Sequence, residues 1–401
     1  MTPRKVSASL SDVKAMVGTE EFVREVVRAA LQELMEAEMT ETVGAGKGER
    51  VGEMRAAYRS GYYGRSLVTR VGKLELRIPQ DRKGLFRTEL FERYQRSEKA
   101  LIDTLAEMYI QGVSTRKVKS ITEELCGHEF SASSISRVTA KLDGELKRFF
   151  GRGIEEELPF LMLDARYEKV REDGVIRDQA VLIAIGIGWD GRRQVLSAEM
   201  ASRESDTSWR DFLVRLRDRG LRGVEFVVSD DHQGLKRAIR EILPEAVWQR
   251  CYVHFLRNAL GKLPRKADPD CLVELRWIYD RRTIEEARRD LAAWLQKWQS
   301  RYAKLCDWVE ENIEETLSFY RLPYEHHKHL KSTNMLERFN EELKRRTRVV
   351  RIFPNAASCL RLIRALAVET HEEWMEAPRY LNMELLREHR KEQMLQLGKV
   401  A

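Results

Sequence analysis

The sequence predicts an α/β fold that is interrupted by an all-α segment and preceded by a mainly helical region. After Gly153, strand-like and helical segments follow one another in the order β-β-β-α-β-α-β, a meander followed by crossovers. From about Arg257 to Leu322 the apolar spacing becomes helical and tryptophan is frequent, which indicates an all-α block inside the α/β region. A last helical segment, from about Asn334 to Thr347, leads through RIFPN into further helix.

Each segment of the α/β region has its own pattern. Three consecutive strands with short polar connections are predicted from PFLMLDARYEKV, QAVLIAIGIGWD and RRQVLSAEMA. Helical apolar spacing marks DTSWRDFLVRLRDRG and GLKRAIREIL, whereas VEFVVSDD and AVWQRCYVHFL read as strands. Upstream, we predict a helix from about Glu20 to Glu38, two short strands between Ser66 and Pro79, and a helix from Leu90 to Tyr109.

Composition excludes several classes of protein. The chain has 401 residues, 43% of them hydrophobic, which is enough for a sizeable core in two or three domains and argues against wholesale disorder. Its longest apolar run, Ala180 to Trp189, is too short to span a bilayer, and the first residues lack the apolar stretch of a signal peptide. Five scattered cysteines fit a reducing cytosol. A net charge of +7 does not by itself indicate a nucleic-acid partner.

Two features of the N-terminal region are compatible with DNA binding. RAAYRSGYYGRS mixes arginine with tyrosine, which fits either a nucleic-acid-facing surface or a small amphipathic subdomain. Between Gly112 and Leu142, Ser114 or Thr115 caps one predicted helix, Gly127 lies in a turn, and Ser131 caps a second helix. This pattern favours a helix-turn-helix over a three-helix bundle without a DNA role. Residue types able to contact bases and phosphates lie on the second helix: Ser133, Ser134, Ser136, Arg137 and Lys141.

Two aspartates stand at the ends of predicted strands. Asp164 follows the apolar run FLML, and Asp230 follows VEFVVS. Neighbouring strands would bring the two carboxylates together at an edge of the sheet, where ligands bind in α/β folds. Two such carboxylates repel unless a divalent cation neutralises them, and oxygen ligands favour Mg²⁺ or Mn²⁺ over zinc. Either aspartate alone is better explained as a strand-end cap.

A third acid lies on the helix near the C-terminal part of the chain. Glu337, Glu341, Lys344 and Arg348 share one face of that helix, which places an acid beside a basic stripe. Six cations within 14 residues, Arg345 among them, would suit a phosphate backbone. The alternative is a capping box with Asn334 as N-cap and Glu337 three residues later, which requires no catalysis.

These acidic segments resemble the three catalytic blocks of the Mutator-type bacterial insertion-sequence transposases. The blocks are LMLDARYEKVR, VVSDDHQGLKRAIREILPEAVWQRCYVHFLRNAL and TNMLERFNEELKRRTRVVRIFPN, in the order that the family has them. The resemblance extends upstream to YRSGYYGRSLVTRVGKLELRIPQDRKGLF, so it covers most of the chain from about Tyr58.

The resemblance implies a ribonuclease-H-like catalytic core with an α-helical insertion before the last acid. It implies that Asp164, Asp230 and Glu337 bind the catalytic metal ions, Mg²⁺ with Mn²⁺ as a substitute, and that Lys344 supports them. Asp230 is the second acid because it directly follows Ser229, which leaves the role of Asp231 open. The domains expected on this basis are a helical N-terminal segment (1–60), a hairpin with the helix-turn-helix DNA-binding region (61–152), the first part of the catalytic core (153–256), the α-helical insertion (257–325) and the last part of the core with the C-terminal helices (326–401).

Cys251 and His254 form a C-x-x-H pair that the family also carries. Two ligands are half of a tetrahedral zinc site, and the nearest further candidates lie in His326-His327-Lys328-His329, more than 70 residues away. We therefore expect no structural zinc and a supporting role for the pair, with at least one of the two side chains in the core.

The function expected from the resemblance is DNA transposition. Such an enzyme cuts at the ends of its insertion sequence and joins the 3′-OH to a new phosphodiester. Its partners would be double-stranded DNA, both terminal inverted repeats and target, and its own copies in a homodimer or higher oligomer, in the bacterial cytoplasm with the nucleoid and not in a membrane. The alternatives are a non-catalytic DNA-binding regulator derived from a transposase and a nuclease of the same fold.

Overall fold

The computed structural model describes residues 20–49, 56–69, 72–89, 99–110, 115–126, 130, 139–348 and 350–400. The chain divides into two compact units, Met1–Thr139 and Ala140–Ala401. The boundary between them falls 13 residues before the predicted start of the catalytic core at residue 153, and the finer domain division stays a prediction.

The first unit contains a helix on a hairpin, followed by two shorter helices. Its elements are α1 (Glu20–Val43), β1 (Arg59–Thr69), β2 (Gly72–Asp81), α2 (Lys99–Ile110) and α3 (Thr115–Cys126). α1 packs on β2 through a core formed by Met35, Leu67, Leu74, Leu76 and Ile78. It continues past the predicted end at Glu38, because Met39 and Val43 keep the apolar spacing and are buried.

The hairpin is longer than predicted. β1 and β2 pair from Thr69 opposite Gly72 out to Arg59 opposite Asp81, so RSGYYGR belongs to a strand. Pro79 does not end β2, because a two-stranded ribbon has a free edge on each strand where a missing N–H is tolerated.

The second unit is built on a mixed five-stranded sheet. Its strands are β3 (Phe160–Glu172), β4 (Val175–Ile187), β5 (Arg193–Ala201), β6 (Phe226–Ser229) and β7 (Val247–Arg250), in the spatial order β5-β4-β3-β6-β7. β3, β4 and β5 form an antiparallel meander, whereas β6 and β7 run parallel to β3. The predicted α/β class and the order of strands and helices are therefore confirmed.

The helices of this unit follow the predicted order. They are α4 (Asp143–Phe150), α5 (Asp206–Asp218), α6 (Gln233–Ile242), α7 (Tyr252–Leu260), α8 (Asp270–Trp277), α9 (Ile284–Asn312), α10 (Tyr324–Leu330), α11 (Asn334–Thr347), α12 (Ala356–Glu376) and α13 (Met383–Val400). The tryptophan-rich block is helical, and the indole of Trp294 in α9 donates to the carbonyl of Cys271 in α8 over 2.8 Å. That this block is an insertion domain stays a prediction.

One predicted strand is wrong in its second half. AVWQRCYVHFL forms β7 only as far as Arg250, and α7 begins at Tyr252. The buried side chains of Tyr252, Phe255 and Ala259 recur at three- and four-residue spacing, which is helical. Strand alternation and helical spacing therefore meet at Cys251.

The two faces of the sheet bury alternate residues of each strand. On one face Leu161, Leu163 and Val227 pack against α5 and α6 in the main core. On the other face lie Phe160 and Met162, and the ring of Phe160 is 6.3 Å from that of Phe226 between centroids. α11 and α12 contact β3, and α12 also contacts β5. Among the described residues, no helix has the length and apolar character needed to cross a bilayer.

Candidate active site

Asp164 and Asp230 occupy equivalent positions on neighbouring parallel strands. β3 and β6 pair with Phe160 opposite Phe226 and Met162 opposite Val228. Each aspartate lies two residues beyond the last of these pairs, and side chains alternate between faces with a period of two. Both carboxylates therefore belong to the face of Phe160 and Met162. Asp230 directly follows β6, as predicted, but the prediction that Asp164 ends a strand is wrong, because β3 stays paired with β4 as far as Glu172.

The charges of the two aspartates interact. Burial, followed by the negative charge of Asp230, raises the pKa of Asp164 to about 7, while His254 opposes the shift. A carboxylate pair of this kind, removed from water and mutually repelling, is stabilised by a positive charge placed between its members. Glu204 stands near Asp230 as a further acid, and its indole partner Trp209 donates to it over 2.9 Å.

Glu337 lies on α11, and its carboxylate faces α7. Its Oε1 is 3.5 Å from His254 Nε2 and 3.6 Å from an Arg257 guanidinium nitrogen. The helix is anchored by buried Leu336, Phe339 and Leu343. Since His254 is also attracted by Asp164 and Asp230, the three predicted acids converge on this histidine.

The predicted capping box is absent. Thr333 precedes α11, Asn334 is already helical, and the helix start has no side-chain cap. The Glu337 N–H donates to the Thr333 carbonyl over 2.9 Å as part of the helix, so its carboxylate is available for the site.

Asn340 is a site residue that the sequence did not single out. Its Nδ2 donates to Asp164 Oδ2 over 2.7 Å, and its carbonyl accepts from Arg166 over 2.8 Å. Asn340 Oδ1 is buried without a hydrogen-bond partner among the described residues. The signal for it was its position three residues after Glu337, on a neighbouring part of the same helical face.

The donor set fits a divalent cation in part. Asp164 and Asp230 offer carboxylate oxygens on one face of the sheet, and Asn340, which donates to Asp164, has a buried Oδ1 without a hydrogen-bond partner among the described residues. Within the described part of the chain, however, no three His, Cys, Asp or Glu side chains are grouped closely enough to hold one metal ion. Glu337 is engaged by His254 and Arg257 instead of joining the two aspartates.

Cys251 and His254 adjoin this site. Cys251 is buried, as predicted for at least one of the pair, and its Sγ accepts from Thr333 N and Thr333 Oγ1, both at 3.3 Å. Although burial opposes it, interaction with His254 and Thr333 lowers the pKa of the Cys251 thiol. Cys251 in turn raises the pKa of His254, ahead of the two aspartates. His254 Nδ1 is buried and meets no hydrogen-bond partner of the described residues in ideal geometry.

The sequence of the whole chain identifies its family. Residues 1–377 match the model of the transposases of the Mutator family. The chain belongs to that family. It is 68% identical over 388 residues to the transposase for insertion sequence element ISRM5 of Rhizobium meliloti (strain 1021), which covers 97% of each protein. It is 44% identical to the transposase for insertion sequence element IS406 of Burkholderia multivorans, over 89% of this chain and 92% of the relative. Identity to the transposase for insertion sequence element IS256 in transposon Tn4001 of Staphylococcus aureus is 40%, over 90% and 93%.

Asp231, the second acid of the SDD run, has a different environment in this Mutator-family chain. Its Oδ2 lies 2.9 Å from a guanidinium nitrogen of Arg250, which is 1% exposed. Burial raises the pKa of Asp231, and Arg250 opposes the shift. Asp231 therefore balances a buried cation, whereas Asp230 faces Asp164.

The predicted DNA-contacting residues fall into three groups. Lys344 and Arg348 are exposed on α11. Arg345 is exposed but forms an ion pair with Glu342 at 2.7 Å. The others are not available for comparison, because Ser133, Ser134, Ser136 and Arg137 lie outside the described residues, as does the side chain of Lys141.

The histidine-rich run of this transposase-family chain is not a solvated patch. His326 and His327 are buried, and their Nε2 atoms lie 2.9 Å from the Asn382 carbonyl and 2.8 Å from the Leu322 carbonyl. Burial lowers the pKa of both rings. These two rings therefore serve the packing of α10.

Proposed function

We propose that this protein is the transposase of an insertion sequence, which cleaves DNA at the ends of its element and joins the exposed 3′-OH to a new phosphodiester. Its relatives are named as insertion-sequence transposases. The sheet order β5-β4-β3-β6-β7, with β6 and β7 parallel to β3, supports a ribonuclease-H-like core, and α8 and α9 would form the insertion.

The observation that carries this proposal is the placement of Asp164 and Asp230. They stand at the same register on adjacent parallel strands and on the same face, and their charges repel. An anionic phosphodiester would be repelled by such a pair alone, so the pair makes chemical sense where divalent cations are bound.

The chain's own residues have distinct roles in this proposal. Asp164, Asp230 and Glu337 hold Mg²⁺, or Mn²⁺ as a substitute, which when bound neutralises phosphate oxygens and activates the attacking and leaving oxygens. Asn340 orients Asp164 through its amide. His254 and Arg257 hold Glu337 while its negative charge has no other partner. Lys344 and Arg348 contact phosphates beside the scissile bond.

The remaining parts of the proposal concern partners. The region 61–152 recognises the terminal inverted repeats, and the protein acts on double-stranded DNA as a homodimer or higher oligomer at the bacterial nucleoid. A structural zinc ion at Cys251 and His254 is not part of the proposal, and elemental analysis of protein purified without chelator would test this directly.

The decisive experiment incubates the full chain with labelled duplexes of the element's ends and Mg²⁺ or Mn²⁺. We expect joined products from the wild type and none from Asp164→Asn, Asp230→Asn or Glu337→Gln, all of which should still bind the ends. Nicked products without joining would indicate a nuclease instead. A shift in the gel mobility of the duplexes without any cleavage would indicate a DNA-binding regulator.

A further inference from the structure

A cationic cavity, separate from the acidic site, lies on another side of α11 from Glu337. It has a volume of about 470 Å³ and is bordered by β5, α10, α11, α12 and the segment that follows α12. Arg193, Lys328 and Arg338 bring three positive charges to it. Its size falls within the ~300–1,000 Å³ usual for small-ligand sites.

The three cations have no anionic partner in the described part of the chain. None of them forms an ion pair with a carboxylate there, whereas Arg346 on the same helix pairs with Glu342. Burial lowers the pKa of Arg193, and the nearby charge of Arg338 lowers it further, while Tyr380 opposes the shift. A cluster of positive charges without a counter-ion is typical of a site that binds an anion.

Two aromatic rings hold the central cation in place. The Arg193 guanidinium carbon lies 4.5 Å from the centroid of the Trp374 ring and 4.6 Å from that of Tyr380. A planar guanidinium held between rings loses little rotamer freedom on binding and keeps its edge free for donation to a phosphate. The cavity is therefore built around a preorganised donor.

The acids that border the cavity do not neutralise it. Glu342 is engaged by Arg345 and Arg346 on α11, which leaves Glu373 as the carboxylate without a partner among the described residues. Burial, followed by the nearby charge of Lys328, lowers the pKa of His329 to about 4, so this ring adds no charge near neutral pH.

We propose that this cavity binds a phosphate group of a DNA strand, with Arg193, Arg338 and Lys328 as its donors. The proposal rests on the proposed function in one respect, because it takes DNA as the source of the phosphate. It adds a contact on a different side of α11 from Lys344 and Arg348. Asn334, Arg338 and Glu342 recur every four residues along that side, about a quarter turn around the helix. The strand bound there would be a different one, or a different part of the same one, from that at the acidic site.

The test measures equilibrium binding by the full chain without divalent metal, so that no cleavage is needed. Inorganic pyrophosphate and a short duplex, end-containing or scrambled, serve as probes across a salt series. Arg338→Gln and Lys328→Gln remove exposed donors, and Trp374→Leu releases Arg193 while retaining an apolar side chain. Arg240→Gln, an exposed arginine of α6 without a carboxylate partner among the described residues, is the matched control.

We expect each cavity variant to weaken pyrophosphate binding about tenfold and to flatten the log–log salt dependence of duplex binding by about 0.9, with Arg240→Gln close to wild type. Cavity variants that match Arg240→Gln for both probes would overturn the proposal. Weaker pyrophosphate binding with an unchanged duplex slope would also overturn it, because the site would then take free anions and not DNA.

These results are separable from the proposed function. Asp164→Asn should retain the wild-type slope, since its carboxylate is not in the cavity. If the wild type is active and the cavity variants bind both probes as the wild type does, only the proposed phosphate site is refuted. If the cavity variants show the expected loss of binding but the wild type neither cleaves nor joins the element's ends, only the proposed transposase activity is refuted.

Discussion

The side-chain amide of Asn340 donates a hydrogen bond to Asp164 across 2.7 Å, although the two residues lie 176 positions apart in the chain. The bond ties α11, which carries Glu337, to β3, which carries the first acid. Asn340 Oδ1 is also buried, without a hydrogen-bond partner among the described residues. Asn340 is thus placed to position Asp164.

We expect Asn340→Ala to reduce strand transfer by about 10- to 100-fold, because partners that orient metal-binding carboxylates typically matter by that factor. The metal concentration that gives half-maximal activity should rise, whereas end binding without metal should not change. Asn340→Asp should be worse than Asn340→Ala, since it places another negative charge against Asp164. Equal activity of all three proteins would show that the hydrogen bond only supports the helix.

Asp230 and Asp231 should respond in opposite ways to the same substitution. Asp231→Asn leaves the buried Arg250 without its counter-ion, so the free energy of unfolding should fall by about 1–3 kcal/mol. Asp230→Asn removes a repulsion with Asp164, so stability should be retained while strand transfer is lost. Urea unfolding and a strand-transfer assay on both variants test this pair. Loss of transfer in Asp231→Asn with unchanged stability would reverse the assignment of the second acid.

Lys344 and Arg345 provide a matched comparison on α11. Lys344 is exposed, whereas Arg345 is engaged by Glu342. Lys344→Ala should flatten the salt dependence of duplex binding by about 0.9 and weaken end and scrambled DNA by similar factors. Arg345→Ala should have a smaller effect, because its charge is already partly balanced. A larger effect of Arg345→Ala than of Lys344→Ala would mean that Arg345 leaves Glu342 and contacts DNA.

His371 should make the protein sensitive to mild acid. Its Nδ1 accepts from the Val195 N–H over 3.3 Å, and burial followed by the charge of Arg152 lowers its pKa from 6.5 to about 4. The unfolded chain therefore takes up a proton between those values that the folded chain refuses, and stability present above about pH 6.5 is lost as the pH falls toward 4.

His371→Gln keeps an acceptor for Val195 and removes this titration. Urea unfolding at pH 7 and pH 5 should show a smaller loss of stability for the variant than for the wild type. The flattening should be partial, because the pKa of His329 is also lowered to about 4. Equal losses in the two proteins would show that His371 does not contribute to the acid sensitivity.

The sequence predicted the strands that carry the two aspartates better than where those strands end. The apolar runs before Asp164 and Asp230 are both strands and pair in parallel, but β3 continues past Asp164 to Glu172. The strand predicted through Cys251 and His254 was wrong, because a four-residue strand and the first turn of α7 both show apolar residues at close intervals. Strand length and helical phase at such a junction depend on which neighbours are available to pack.

Long-range side-chain contacts could not be predicted from local sequence patterns. The spacing of three residues from Glu337 places Asn340 near that face of the helix, but its contact with Asp164 depends on the packing of α11 against β3. The same holds for Arg193, whose meaning comes from Trp374 and Tyr380 about 180 residues later. The family resemblance predicted the triad, but not that Glu337 would be held by Arg257.

The three acids are fixed by different kinds of force, and this has a consequence for how the protein can evolve. Asp164 and Asp230 are set by backbone pairing, which tolerates almost any change of neighbouring side chains. The position of Glu337 depends on the apolar side of α11, where Leu336, Phe339 and Leu343 are buried. Conservative exchanges among those three apolar residues would shift Glu337 slightly relative to the other two acids, with no charged residue substituted. Selection on these apolar residues would change the frequency of transposition in small steps, while the three acids themselves stay unchanged.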